Sequence, residues 1–271
     1  MVDKNRKFWT VGQIDATGVR GPHEKELEDI SNLKCPLFID IDMNKLKMIV
    51  EENLGGKIEN IGFNEDWTIT IEMFPEVNIH MAYSYFGDEF GDGIEAEFKF
   101  YYSGEHATWV PGEDSATYID IVMDFIERLL KNKEPFEKEY DKKTELMEKV
   151  LIQRKDPFEL LKEGDRDKLA EFIGAKVWKT SQGWRIKREF FPKMFAEIIW
   201  NKEKGLDISF LGDNLKNMSS YHAELLGIFI INHILRFITI HNENEALPDI
   251  CYIMFSRMYT KTKGWQHRRI V

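Results

Sequence analysis

The sequence predicts an α+β protein in which one unit occurs twice in tandem: a helix, a four-stranded antiparallel sheet and a long closing helix. Three observations carry this. Leu54-Gly55-Gly56-Lys57-Ile58 recurs as Ile173-Gly174-Ala175-Lys176-Val177. Six residues separate Trp67 from Phe74-Pro75, and six separate Trp184 from Phe191-Pro192. Gly93-Ile94-Glu95-Ala96-Glu97-Phe98 then pairs with Gly205-Leu206-Asp207-Ile208-Ser209-Phe210, and each copy ends in a long apolar stretch, residues 116–130 and 223–238. The boundaries are 1–133 for the first copy with an N-terminal extension, and 134–271 for a connector, the second copy and a C-terminal helix.

The elements follow from periodicity. Residues 44–54 place Leu46, Met48, Ile49 and Leu54 at helical spacing, with Gly55 as the stop. Ile69, Ile71 and Met73 alternate with polar neighbours, as do Val77, Ile79, Met81, Tyr83 and Tyr85, and then Ala96, Phe98 and Phe100, the pattern of half-buried strands. His80 falls on the side opposite the apolar face, which points it to solvent or to a polar contact between sheets. Asp114 or Ser115 is placed to cap the helix bearing Ile119, Val122, Phe125, Ile126 and Leu129. In the second copy Trp184, Ile186 and Arg188 share a face, and residues 195–200 are almost wholly apolar, which predicts a strand buried on both sides. Residues 134–163 read as a helical connector with Leu146, Val150 and Leu151 as its stripe, and residues 249–259 as a short helix.

Composition narrows the function classes. A net charge of -10 disfavours binding to nucleic acid, which requires a basic surface to release phosphate counterions. The charge is uneven: 26 acidic against 13 basic residues in 1–133, and 21 against 24 in 134–271. Complementary halves, or a cationic ligand at the first, would fit this asymmetry. Cys35, at the expected start of an apolar strand, and Cys251, in a helical run, are too few for a cysteine-ligated zinc or iron–sulfur site. Residues 1–12 lack the apolar core of an export signal, and residues 225–240, interrupted by Asn232, His233 and Arg236, are too short and polar to span a bilayer. A cytoplasmic protein is therefore expected.

The chemistry-bearing segment runs from Asp88 to Asp114. Asp88 and Glu89, then Glu105-His106, Trp109 and Glu113-Asp114 stand on turns between strands and at a helix mouth. His106 with Glu113 and Asp114 could serve as an acid–base pair or hold a divalent metal, although acidic turns beside a helix cap account for most of the pattern. The second copy has Gly212-Asp213-Asn214 and Ser219-Ser220 there instead. No Gly-x-Gly-x-x-Gly, Walker loop or Gly-x-Ser-x-Gly elbow occurs. Trp184 and Trp200, with the rest of an aromatic complement of 19 Phe, 9 Tyr and 7 Trp, suit a core or a flat-ligand pocket. The basic, Trp-bearing stretch 176–188 could contact nucleic acid or an acidic surface, most simply that of the acidic first half.

Phe74-Pro75-Glu76-Val77, the turn Gly87-Asp88-Glu89-Phe90, the strand Glu95-Ala96-Glu97-Phe98 and the run from Ser103 through His106 to Glu113-Asp114 resemble a prokaryotic domain family of unestablished activity. The resemblance covers about residues 43–131. That family is common in anaerobes, and some members adjoin an iron–sulfur domain of the corrinoid-protein type. The resemblance implies an accessory role in corrinoid or redox metabolism. Two readings follow: a non-catalytic protein binding a small molecule or a protein partner, and a hydrolase or lyase built on His106, Glu113 and Asp114. The ligand-binding set would be Asp88, Glu89, Glu105, Trp109, Trp184 and Trp200.

Overall fold

The computed structural model describes residues 6–14, 20–87, 95–137, 140, 142–242 and 245–254. The chain forms two compact units, Met1–Glu134 and Pro135–Val271. Each contains one four-stranded antiparallel sheet whose strands lie side by side in chain order, so the architecture is α+β.

In the first unit, α1 (Val11–Ile14) and α2 (Arg20–Lys34) lead through a 3₁₀ turn at Cys35–Leu37 into α3 (Met43–Met48). Asp42 caps α3 by accepting the amides of Asn44 and Lys45. A π-helical turn, Ile49–Asn53, then precedes β1 (Lys57–Glu59), β2 (Trp67–Phe74), β3 (Val77–Tyr85) and β4 (Ala96–Ser103). A 3₁₀ turn at Ala107–Trp109 feeds α4 (Gly112–Leu130), whose apolar stripe Ile119, Val122, Phe125 and Ile126 is buried. Lys34, at the end of α2, is buried with its ammonium 2.5 Å from Asp124 and 2.7 Å from Glu127 of α4. Burial alone would lower its pKa. The two carboxylates outweigh burial and hold it above the usual lysine value, so this pair ties α2 to α4 as ions.

In the second unit, α5 (Glu145–Arg154) starts at Thr144, whose hydroxyl accepts the Met147 amide. Glu224, buried on α7, takes the Thr144 amide at 2.9 Å and also the Thr144 hydroxyl. A 3₁₀ turn, Asp156–Leu160, leads to α6 (Arg166–Ile173), then β5 (Lys176–Thr180), β6 (Gly183–Phe191), β7 (Met194–Asn201) and β8 (Gly205–Leu211). A further 3₁₀ turn, Asp213–Asn217, precedes α7 (Ser220–His241), and α8 (Asp249–Met254) follows. Gly227 brings α7 onto β8, because a Cβ there would lie 2.6 Å from Ile208 and 2.8 Å from Phe210.

The two sheets share their registers. Ile79 pairs with Tyr102 as Ala196 pairs with Phe210, and Lys57 pairs with Thr70 as Lys176 pairs with Lys187. The register shifts between Glu72 and Phe74, and likewise between Glu189 and Phe191. The residue after each Phe-Pro, Glu76 or Lys193, has φ +61°. Gly104 and Gly212 follow β4 and β8 at φ +108° and +127°, where a Cβ would lie 2.1 Å from the Glu76 carbonyl oxygen or 2.0 Å from that of Lys193. The loops differ: seven residues join β1 to β2, and two join β5 to β6.

Several sequence expectations need correction. Met48 is exposed, because α3 opens into the π turn and rotates that position outward. Pro111 occupies the N-cap of α4, so Asp114 and Ser115 lie inside its first turn. Cys35 sits in a 3₁₀ turn rather than a strand, buried with its thiol 3.6 Å from Ser31 Oγ. In α5, Met147 takes the inward place expected of Leu146, which is exposed. The outer face of β7 is buried only in part, since Glu197 is buried but Ile199 is 41% exposed. The apolar helix expected at 225–240 spans Ser220–His241, long and apolar enough by length and composition to cross a membrane, with 89% of its most apolar window buried in the fold. The described part of the last helix ends at Met254.

Candidate functional site

On the outer side of the first sheet, opposite the helices, alternation places Glu59, Thr70, His80 and Ser103 on neighbouring strands. His80 is fully buried, not solvent-facing, because Arg6 and Phe8 cross above it. Thr70 donates its hydroxyl to Glu59 at 2.7 Å, so its contact with His80 Nδ1 at 2.8 Å requires the ring to donate there. His80 Nε2 is then the acceptor, and takes the Ser103 hydroxyl at 2.8 Å. Arg6 closes the circuit through Nε to Ser103 at 3.2 Å and Nη1 to Glu59 at 2.8 Å.

Burial first, and then the Arg6 charge, push the His80 pKa down to about 3. Burial raises that of Glu59, but hydrogen bonds from Thr70, Arg6 and Lys57 outweigh it and bring it to about 2. Ser103 is 1% exposed beneath Arg6, so this ring of bonds holds the N-terminal strap to the sheet and presents no open nucleophile. Arg6→Ala should cost about 1 kcal/mol. It should also speed exchange of the Tyr102 amide, which is bonded to Trp9 across the strap at 2.9 Å. Unchanged exchange would show that the strap is held without Arg6.

Of the residues singled out by sequence, Asp88 and Glu89 lie outside the described residues. His106 and Trp109 stack face to face, centroids 4.1 Å apart, with the His106 amide bonded to the Glu76 carbonyl. Glu105 and Glu113 are exposed, and Asp114 is half-buried in the first turn of α4. Among the described residues no group of three or more His, Cys, Asp or Glu side chains could hold a metal ion. Trp184 and Trp200 are direct cross-strand partners on β6 and β7, on the sheet face turned to the core.

Two shallow clefts meet at Trp200. One, of about 230 Å³, has Leu151 and Ile152 of α5 and Leu206 as apolar wall, with Lys155 and Glu159 on its rim. The other, of about 380 Å³, has Leu161 and Gly183 as floor and Lys179 at its mouth. Glu159, Lys202 and Glu203 border both. The Lys179 ammonium stands 4.4 Å above the Trp184 ring. Trp184 is 1% exposed, and its indole N–H meets no acceptor among the described residues. In the first unit the equivalent pair, Trp67 and Tyr83, stacks at 4.6 Å and is closed over by Phe38, whose ring lies 5.7 Å from that of Trp67. Trp67 is half-buried beneath Phe38, whereas Trp184 and Trp200 are buried and two clefts abut Trp200.

No protein-family model matches the chain, and none of the curated proteins and none of the solved structures matches it.

Proposed function

We propose that the chain is a non-catalytic binding protein that takes a small, largely flat ligand in the second unit, against Trp200. The observation that carries this reading is the buried Trp184 N–H, which meets no acceptor among the described residues, one strand from two clefts that share Trp200. Buried donors are nearly always satisfied, so an acceptor on a ligand is a natural partner for this one. The apolar walls offer a stacking surface, and the balanced Lys and Glu rim suits a neutral or zwitterionic molecule. Such a protein would serve in the cytoplasm as an accessory to the pathway supplying its ligand.

The two units are best understood as diverged copies. Matching registers, matching bulges, the paired left-handed residues Glu76 and Lys193 and the paired glycines Gly104 and Gly212 support this. Divergence then explains why one copy carries a strap across the outer face of its sheet while the other carries the clefts.

Native mass spectrometry of the purified chain tests the binding reading. A small molecule should accompany the folded protein and leave on denaturation. Trp200→Ala should lower its occupancy about tenfold, and Trp109→Ala should leave it unchanged. A ligand retained by Trp200→Ala, or lost equally in both variants, would defeat the assignment.

A further inference from the structure

The strap on the first sheet shows what the described residues of the second do not supply. Trp9 adds a short piece of strand to the free edge of β4: its amide donates to the Tyr102 carbonyl at 2.8 Å and its carbonyl accepts the Tyr102 amide at 2.9 Å. Ser31 of α2 takes a second outward amide of β4, that of Phe98, at 2.8 Å. The β8 residue in the same register as Tyr102 is Phe210. On β8 the Ile208 amide is taken by the Asp207 carboxylate at 2.9 Å, which marks the even-numbered residues as those whose amides face away from β7. Phe210 is the next of them, and its amide meets no acceptor among the described residues. Beside it lies a cleft of about 710 Å³, lined by Tyr140, Phe210, Leu211, Gly212, Leu215 and their neighbours, in the place Trp9 fills on the first sheet.

The geometry points to β8 as the docking edge for an extended segment of a partner protein, carrying two consecutive large apolar residues flanked by carboxylates. The residue opposite Phe210 pairs with it through both backbone groups, and its side chain enters the cleft over Phe210 and Leu215. Its neighbour turns to the outer face, onto Leu211, which is 44% exposed, and onto Phe195, the direct partner of Leu211. The preference for carboxylates rests on Lys187, Lys193 and Lys216. Lys187 lies 4.7 Å above the Phe195 ring, Lys193 adjoins Gly212, and Lys216 borders the cleft; none of the three forms an ion pair among the described residues. This edge is separate from the Trp200 clefts, so either proposal can fail without the other.

The test uses the full chain and a fluorescein-labelled peptide of sequence EEFWTE, followed by fluorescence anisotropy. Saturable binding is expected. Methylating the tryptophan amide removes the donor that faces β8, and should weaken binding about tenfold or more, whereas methylating the phenylalanine amide, which faces away, should leave it within about twofold. A KKFWTK peptide should bind at least about fivefold more weakly. Leu211→Asp, at an exposed site, should weaken binding with an unchanged melting temperature. Absence of saturation up to about 1 mM, or equal loss from the two methylated peptides, would overturn strand pairing. A peptide-free dimer dissolved by Leu211→Asp would overturn the partner segment in favour of a second copy of this chain.

Discussion

Gly104→Ala and Gly212→Ala are each expected to destabilise their own unit by about 3 kcal/mol or more. Two costs add. Both glycines hold a positive φ that an L side chain rarely adopts, and the new methyl would meet a carbonyl oxygen 2.1 or 2.0 Å away. That oxygen belongs to Glu76 or Lys193, itself held at φ +61° by the preceding Phe-Pro turn, so neither partner can retreat without unpairing the hairpin. Urea unfolding of the two variants beside Gly164→Ala, whose Cβ would meet nothing within 4 Å, provides the measurement. Comparable midpoints in all three would refute the argument.

The second large effect is acid sensitivity centred on His80. Its pKa in the fold is about 3 against an ordinary 6.5, so the unfolded chain takes up a proton first as pH falls. The stabilisation is complete above about pH 6.5 and is lost progressively down to about pH 3, amounting to about 3–5 kcal/mol over that interval. Glu59, at about 2 against 4.5, adds a loss confined to the range below about pH 4.5. Between pH 7 and 5 the slope therefore contains the His80 contribution and not that of Glu59. His80→Gln should cost about 1–3 kcal/mol at pH 7, because it cannot serve both Thr70 and Ser103 as the ring does. It should also flatten the slope. A wild-type protein equally stable at pH 7 and 5, or a variant with the same slope, would contradict the burial and bonding described for His80.

The sequence resolves the sheets far better than the sites. Period-two alternation in 69–73, 77–85 and 96–100 made the strands of the first unit visible, since a strand with one buried face must alternate. Where burial and period part company, the reading drifts. Met48 keeps helical spacing in the chain but is turned outward by a π-helical turn, which leaves no compositional trace. Leu146 and Met147 are equally apolar neighbours, and only packing chooses between them.

For the sites, Trp184 and Trp200 were visible as aromatics, but the lack of an acceptor for Trp184 among the described residues and the clefts beside Trp200 are properties of three-dimensional packing. The His80 ring left a trace that could have been followed: Glu59, Thr70, His80 and Ser103 all occupy the non-apolar positions of adjacent strands. What that trace lacked was Arg6, which arrives from a segment with no periodicity of its own.

That arrival has a consequence for synthesis. Arg6 and its bonded partner Ser103 are 97 positions apart in the chain, whereas the sheet they complete is built from strands that are successive neighbours. A meander of this kind assembles from near contacts, and loop-closure entropy delays distant ones. During translation the strap leaves the ribosome before β4 and finds no edge to join until β4 has followed it. Its aromatic and cationic side chains are therefore available to other molecules on the nascent chain, and the last step in finishing the first unit uses a segment made well before the edge it joins.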